Sequence, residues 1–191
     1  MSKYFAHNGR LCYFCHIFIH LTEYHPLKQQ KQEMTEERLD DIDIKILRQL
    51  QRDAHLTVKE LAARVHLSPS PTFERQKRLE REGYIERYMA IVDRKKVGNG
   101  IIVLCNIRLK QHSQAFIQEF MDAVQTIEEI TECYNTSGDF DFLVKVYAHD
   151  MKAYQQFMLN TLGRMECIGS LHSVFVIGEI KNTHAVPVVM K

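Results

Sequence analysis

The segment LSPSPTFERQKRLEREG, from Leu67 to Gly83, constrains the fold more than any other stretch of the chain. Ser68 is a good helix N-cap, and Pro69 and Pro71 fall at first-turn positions whose N–H groups would have no helical partner. Gly83 supplies the left-handed residue expected just past a helix end. The helix between them is sharply bounded, yet Phe73 and Leu79 are its only large apolar residues, and it carries Arg75, Lys77, Arg78 and Arg81. A helix with so little to bury lies on a surface, and one this basic suits an acidic partner.

Two further helices precede it. Leu39, Ile42, Ile46, Leu47 and Leu50 recur at helical spacing, with Asp40 or Asp41 at the start, which gives a first helix running to about Arg52. Thr57 and Glu60 form a T-x-x-E capping box that opens a short second helix, roughly Val58 to His66, with Val58, Leu61, Ala62 and Val65 inward. Two helices joined by a tight turn, the second of them basic, make a helix-turn-helix, whose recognition helix enters the major groove of double-stranded DNA. Ser68, Ser70 and Thr72 are placed for phosphates or bases, Arg75 and Arg78 for bidentate bonds to guanine or a clamp on phosphate, and Lys77 is a further DNA-binding candidate. A solvated surface helix is the alternative. After Gly83, YIERYMAIVD alternates Ile85, Met89 and Ile91 and reads as a strand like the wing of a winged helix. The DNA-binding unit then spans residues 34–92, and the charged, Gly-containing DRKKVGNG is a linker over residues 93–100.

Charge supports this reading only locally. The whole chain is formally +1, but between Arg64 and Arg81 five Lys or Arg stand against two Glu, and from Gly98 onward seven stand against ten Asp or Glu. The cysteines number five, and three of them, Cys105, Cys133 and Cys167, sit in apolar or strand-like stretches, as free thiols do in a reducing cytosol. No run of about eighteen apolar residues exists to span a membrane, so a cytoplasmic location is expected.

Residues 1–33 differ from the rest and read as a poorly ordered extension, or as an upstream start assigned in error, since Met34 opens a good N-terminus of its own. CYFCH matches a haem-attachment pattern without the export it needs, and Cys12, Cys15, His20 and His25 have a zinc-like spacing without the glycines a tight knuckle wants. Neither motif is assigned a metal or a cofactor.

From residue 101 to 191 the apolar period changes. IIVLCNIRLK is a strand, and SQAFIQEFMDAV is a helix capped by Ser113 that buries Phe116, Phe120 and Val124. ITECYNTSG and DFDFLVKVYA are two strands meeting at a tight turn, DMKAYQQFMLNTLG is a helix capped by Asp150, and GSLHSVFVIGEIK is a last strand. The order βαββαβ is that of a ferredoxin-like sandwich, an antiparallel sheet with both helices on one face, and the chain as a whole is α+β. Ile102, Leu104, Leu143, Val174 and Val176 would then lie on the uncovered face, enough apolar surface to call for a homodimer.

The loop NTSGDFD carries chemistry of its own. Gly138 permits a tight turn with free N–H groups for a carboxylate, and Asp139 and Asp141, two apart on a strand, project to one side and can receive an ammonium, a combination that suits a free amino acid. Two aspartates that merely solvate a hairpin, and a catalytic carboxylate pair, are the alternatives.

Residues 34–191 resemble the leucine-responsive/asparagine-response (Lrp/AsnC, feast/famine) regulators, through LSPSP followed by ERQKRLEREGYI, through SGDFD, and through DMKAYQQFMLNTL. The resemblance implies a non-enzymatic transcription regulator with a DNA-binding helix-turn-helix and an amino-acid-binding C-terminal domain, with leucine as the candidate effector and no cofactor. It further implies dimers through the sheets, octamers around which DNA wraps, and effector clefts between dimers near Ser137, Gly138, Asp139 and Asp141, with Met151 and Val174 close by. Gln76 departs from the family's usual Val or Ile. A nucleoid-type packaging protein without small-molecule control is the alternative function.

Overall fold

The computed structural model describes residues 39–189. The Cys12/Cys15/His20/His25 spacing and the haem-like CYFCH both lie outside the described residues, as does the extension reading of residues 1–33.

Three helices come first: α1 (Asp41–Leu50), α2 (Val58–Val65) and α3 (Pro69–Arg81). Asp40 caps α1 and forms a reciprocal box with Asp43, whose side chain accepts the Asp40 N–H while Asp40 accepts from Asp43. Thr57 and Glu60 form the expected box at α2. The tight turn between α2 and α3 rests on His66, at φ 59° in the left-handed region, a conformation that sequence reasoning would have assigned to Gly or Asn. Ile44, Ile46, Leu47, Leu50, Leu61, Ala62, Val65 and Leu79 are buried as the three helices pack on one another.

Two details of α3 differ from expectation. Ser68 occupies the N-cap position, but its side chain makes no capping bond; its carbonyl instead accepts the Thr72 hydroxyl at 2.9 Å. Beyond Gly83 (φ +78°), residues 84–92 form no strand, and Tyr84, Tyr88, Met89, Ile91 and Val92 are exposed. An extended segment becomes a strand only by exchanging backbone hydrogen bonds with a neighbouring strand, and residues 84–92 pair with none among the described residues. Tyr88 is anchored through its hydroxyl, which donates to Glu80 (2.9 Å) and accepts from the Gln76 amide (2.9 Å).

The second part follows the expected order: β1 (Ile101–Leu109), α4 (Gln114–Val124), β2 (Ile130–Asn135), β3 (Phe142–Ala148), α5 (Met151–Asn160), a single turn of 3-10 helix (Leu162–Arg164) and β4 (Ile168–Phe175). The sheet is antiparallel with order β2-β3-β1-β4. Alternation sends Val103, Cys105, Ile107 and Leu109 of β1 and Phe142, Val144 and Val146 of β3 to the face covered by α4 and α5, where Phe120 meets Phe142 at 4.5 Å between ring centres. Ser113 and Asp150 cap these helices as expected.

The opposite face is less apolar than the sequence suggested. Ile102 is buried, Leu104 and Leu143 are half-buried and Val174 is 42% exposed. They alternate with the ion pair Lys145–Glu132 (2.9 Å) and with Asn106, His172 and Arg108, because a strand brings every second residue to one face whatever its polarity. At one end, Tyr147, residues 91–95 and residues from 177 to 184 line a shallow cavity. The chain then runs on irregularly, and Gln51, which caps the end of α1, bonds the Val186 N–H (2.7 Å) and carbonyl (3.2 Å), while Arg48 donates to the Val188 carbonyl (3.0 Å).

Candidate functional site

Two surfaces carry the expected chemistry: one side of α3, and the loop between β2 and β3.

On α3 the helical period divides the residues sharply. Ser70, Phe73, Glu74, Lys77 and Arg81 share an exposed face, while Thr72 and Leu79 are fully buried and Arg75, Gln76 and Arg78 are half-buried on the other side. Arg75 reaches back to α1, where its Nη1 lies 2.6 Å from Asp40 Oδ2 and 2.8 Å from Asp43 Oδ1. Arg78 pairs with the other Asp43 oxygen. The Asp43 carboxylate is completely buried, and between the two guanidiniums and the Asp40 N–H its acceptor sites are well used. The Asp43 carboxylate, against some desolvation, raises the Arg75 pKa still further. Burial opposes ionisation of Asp40, but the Asp43 N–H and the Arg75 guanidinium prevail and hold its carboxyl below the usual range.

Magnitudes decide what these arginines do. Stripping one partner from a buried ion pair costs about 3–5 kcal/mol, whereas a good bidentate contact to a base is worth about 1–3 kcal/mol. In this structure Arg75 and Arg78 are paired with Asp43, so the expectation that they stand free for guanine is corrected: they hold the recognition helix against α1. Thr72 is corrected too, since its hydroxyl is spent on the Ser68 carbonyl inside the fold. Ser68, Ser70 and Lys77 remain exposed as expected. Lys77 lies 2.6 Å from Glu80 and over the Phe73 ring at 5.8 Å. Such an exposed pair is worth at most about 1 kcal/mol, so it gives way easily to a phosphate. Phe73, Glu74 and Arg81 are the residues of this exposed face that the sequence reading left out; their i+3, i+4 and i+11 spacing from Ser70, with Lys77 at i+7, was the available signal.

The β2–β3 loop is built from backbone bonds: Thr136 N–H donates to the Asp141 carbonyl (2.9 Å), its hydroxyl to the Phe140 carbonyl (2.9 Å), and Asp141 N–H to the Ile107 carbonyl (2.9 Å). Gly138 has φ +123°, a region that L side chains rarely adopt. Ser137, Gly138 and Asp139 are exposed. Asp141 is not: its Oδ2 accepts the Leu109 N–H at 2.7 Å, its Oδ1 lies 3.0 Å from His112 Nδ1, and the side chain is 13% exposed. The two aspartates thus do not form the paired ammonium receptor expected, because β3 begins only at Phe142 and strand alternation does not govern them. Asp141 pins the loop to the end of β1, and the exposed Asp139 carboxylate has no partner among the described residues. Arg108 completes the setting, with Nε 2.7 Å from the Asp139 carbonyl and its guanidinium over Phe140, whose other neighbour is His172.

Met151 and Val174 are not beside this loop within the chain. Met151 opens α5 after the far end of β3, and β3 itself spans about 20 Å from Phe142 to Ala148 at strand rise. Val174 pairs with Leu104, about 13 Å along β1 from Arg108. Both are exposed, 56% and 42% respectively, so each is open to another molecule.

Comparison with known proteins matches both parts. Residues 39–86 match a winged helix-turn-helix DNA-binding family, and residues 102–186 match the Lrp/AsnC ligand binding domain. The leucine-responsive regulatory proteins of Escherichia coli K12 and Klebsiella pneumoniae are each 38% identical over 146 residues, covering 76% of this chain and 89% of theirs. A Neisseria meningitidis transcriptional regulator solved in complex with L-Met superposes with a TM-score of 0.76 at 34% identity, covering 78% of this chain and 96% of that one. An AsnC family transcriptional regulator of Agrobacterium tumefaciens gives 0.75 at 36% identity, covering 78% and 97%.

Proposed function

The chain belongs to the Lrp/AsnC family of transcriptional regulators, and on that footing we propose how it works: the exposed face of α3 binds a DNA operator, and a free amino acid bound between subunits alters that binding through assembly. The observation that carries the proposal is the separation of the effector residues. Ser137, Gly138 and Asp139 stand at one end of the sheet, Met151 and Val174 stand well away from them, and all five are exposed. A cleft that uses them together must draw them from different subunits, and a ligand in such a cleft favours the assembly that completes it. Dimers, and higher assemblies of dimers, are the species in question.

In that cleft the N–H groups around Gly138 receive the carboxylate and Asp139 receives the ammonium, with Asp141 holding the loop in place. Apolar Met151 and Val174 suit an aliphatic side chain. Leucine is the first candidate, since curated relatives carry that response in their names, and methionine is the second, as the ligand of the meningococcal structure. Ser68, Ser70 and Lys77 contact the operator's backbone, and the protein acts with its DNA in the cytoplasm. A packaging protein without small-molecule control is the weaker reading, because residues 102–186 match a ligand-binding domain.

Light scattering of the full chain with and without leucine, methionine and a panel of other free amino acids tests the proposal. A change of mass with one aliphatic amino acid supports it. A constant mass across the panel sinks the link between effector and assembly.

A further inference from the structure

We infer that Phe73 and Glu74 are the residues through which α3 chooses its bases: Phe73 packs on the methyl group of a thymine, and the Glu74 carboxylate accepts from the exocyclic amine of a cytosine. The inference rests on the DNA-binding reading above and adds to it the residues that confer sequence preference.

Of the α3 side chains able to form bidentate bonds with guanine, Arg75 and Arg78 are held by Asp40 and Asp43, and Arg81 stands in the last turn, away from the N-terminal residues that meet base edges. Lys77 leans toward Glu80. The first two turns present Ser70, Phe73 and Glu74 outward.

Inside the major groove each of the last two loses water and is costly unless a base receives it. Phe73 is 43% exposed on a helix that buries only Thr72 and Leu79, with the Lys77 ammonium 5.8 Å from its ring centre. A ring at the floor of the major groove meets one apolar group there, the thymine C5-methyl. Glu74 has neither hydrogen bond nor ion pair among the described residues, and an anion brought between two phosphate strands is repelled unless a base donor meets it. The cytosine N4 amine is the donor that pairs with Glu in the major groove. Thymine and cytosine contacts also leave the phosphates to Lys77 and the serines, so affinity and preference rest on different side chains.

The test is selection of duplexes from a random pool by the full-length protein, by Glu74→Gln and by Phe73→Ala. Glutamine pairs with adenine, so Glu74→Gln is expected to change one position of each half-site from cytosine to adenine, by about tenfold in relative affinity. Phe73→Ala is expected to flatten preference at a thymine. A second measurement leaves the protein intact: replacing that thymine by uracil in the selected duplex removes only the methyl, and is expected to weaken the wild type while leaving Phe73→Ala unaffected. Identical selected sequences for all three proteins, or an equal loss on selected and random DNA in the variants, overturn the inference and leave the regulator reading standing. A wild type that selects no sequence overturns both.

Discussion

Replacing Arg75 by alanine distinguishes a residue that touches DNA from one that holds the domain together. In the folded chain the guanidinium bridges Asp40 and Asp43 at 2.6 and 2.8 Å, and the Asp43 carboxylate has no access to water. Removing one partner of a buried pair costs about 3–5 kcal/mol when the remaining charge is stranded. Here Asp43 keeps Arg78 and the Asp40 N–H, and the lost arginine was itself 30% exposed, so a value at or below the lower end, about 2–3 kcal/mol, is expected. Hydrogen exchange of the full chain reads this directly, with the amides of β1 and β3 as an internal reference. The most protected amides of α1 and α3 should exchange about 30- to 150-fold faster in Arg75→Ala, at tenfold per 1.4 kcal/mol, while those of the sheet stay unchanged. Affinity for random DNA should fall only as far as the folded fraction falls. Unchanged protection of α1 and α3 together with lost DNA binding would refute the reasoning and return Arg75 to the DNA contact set.

Other outcomes follow from the same geometry. The Asp40, Glu60 and Glu80 carboxyls are held below their ordinary values, Asp40 against its own burial, Glu60 first by the Thr57 hydroxyl and Glu80 first by Lys77. A lowered carboxylate stabilises the fold above its unfolded pKa and loses that contribution as pH falls through the folded value. The urea midpoint of the helical domain should therefore hold from pH 7 to about 5 and decline below about 4, and a decline already complete at pH 5 would contradict this. Gly138→Ala forces a side chain into φ +123°, which should cost about 1–3 kcal/mol of loop stability and weaken amino-acid binding measured by calorimetry, whereas undiminished binding would remove the loop from the site. Gln51→Ala removes both bonds to Val186, so exchange of the Val186 amide should quicken while β4 keeps its protection, and an unchanged Val186 rate would show that the contact contributes nothing.

Much of this architecture was legible because local signals and apolar period agreed. The Thr57/Glu60 box, the Ser113 and Asp150 caps, and the alternation in IIVLCNIRL and FLVKVYA fixed the elements one by one, and their order fixed the sheet. What escaped were features set by neighbours remote in sequence. Nothing local to ERQKR says that Arg75 and Arg78 turn inward, since the buried acid that claims them lies more than thirty residues earlier; the clue was that Asp43 falls among the apolar positions of α1. Asp141 was misread for a similar reason, as its partner is the Leu109 N–H across the sheet. Residues 84–92 have the alternation of a strand, but pairing depends on a neighbour that periodicity does not supply. Gln76, which departs from the family's usual Val or Ile, bonds Glu80 and Tyr88.

The most direct test of an amino-acid-responsive, sequence-specific regulator is one titration: the full-length protein against a duplex it has selected and against random DNA at one salt concentration, each with and without leucine or methionine. Selected DNA should bind at least about a thousandfold more tightly than random DNA, and one of the amino acids should change affinity for the selected duplex by about fivefold or more. A ratio near one that neither amino acid alters would contradict that function.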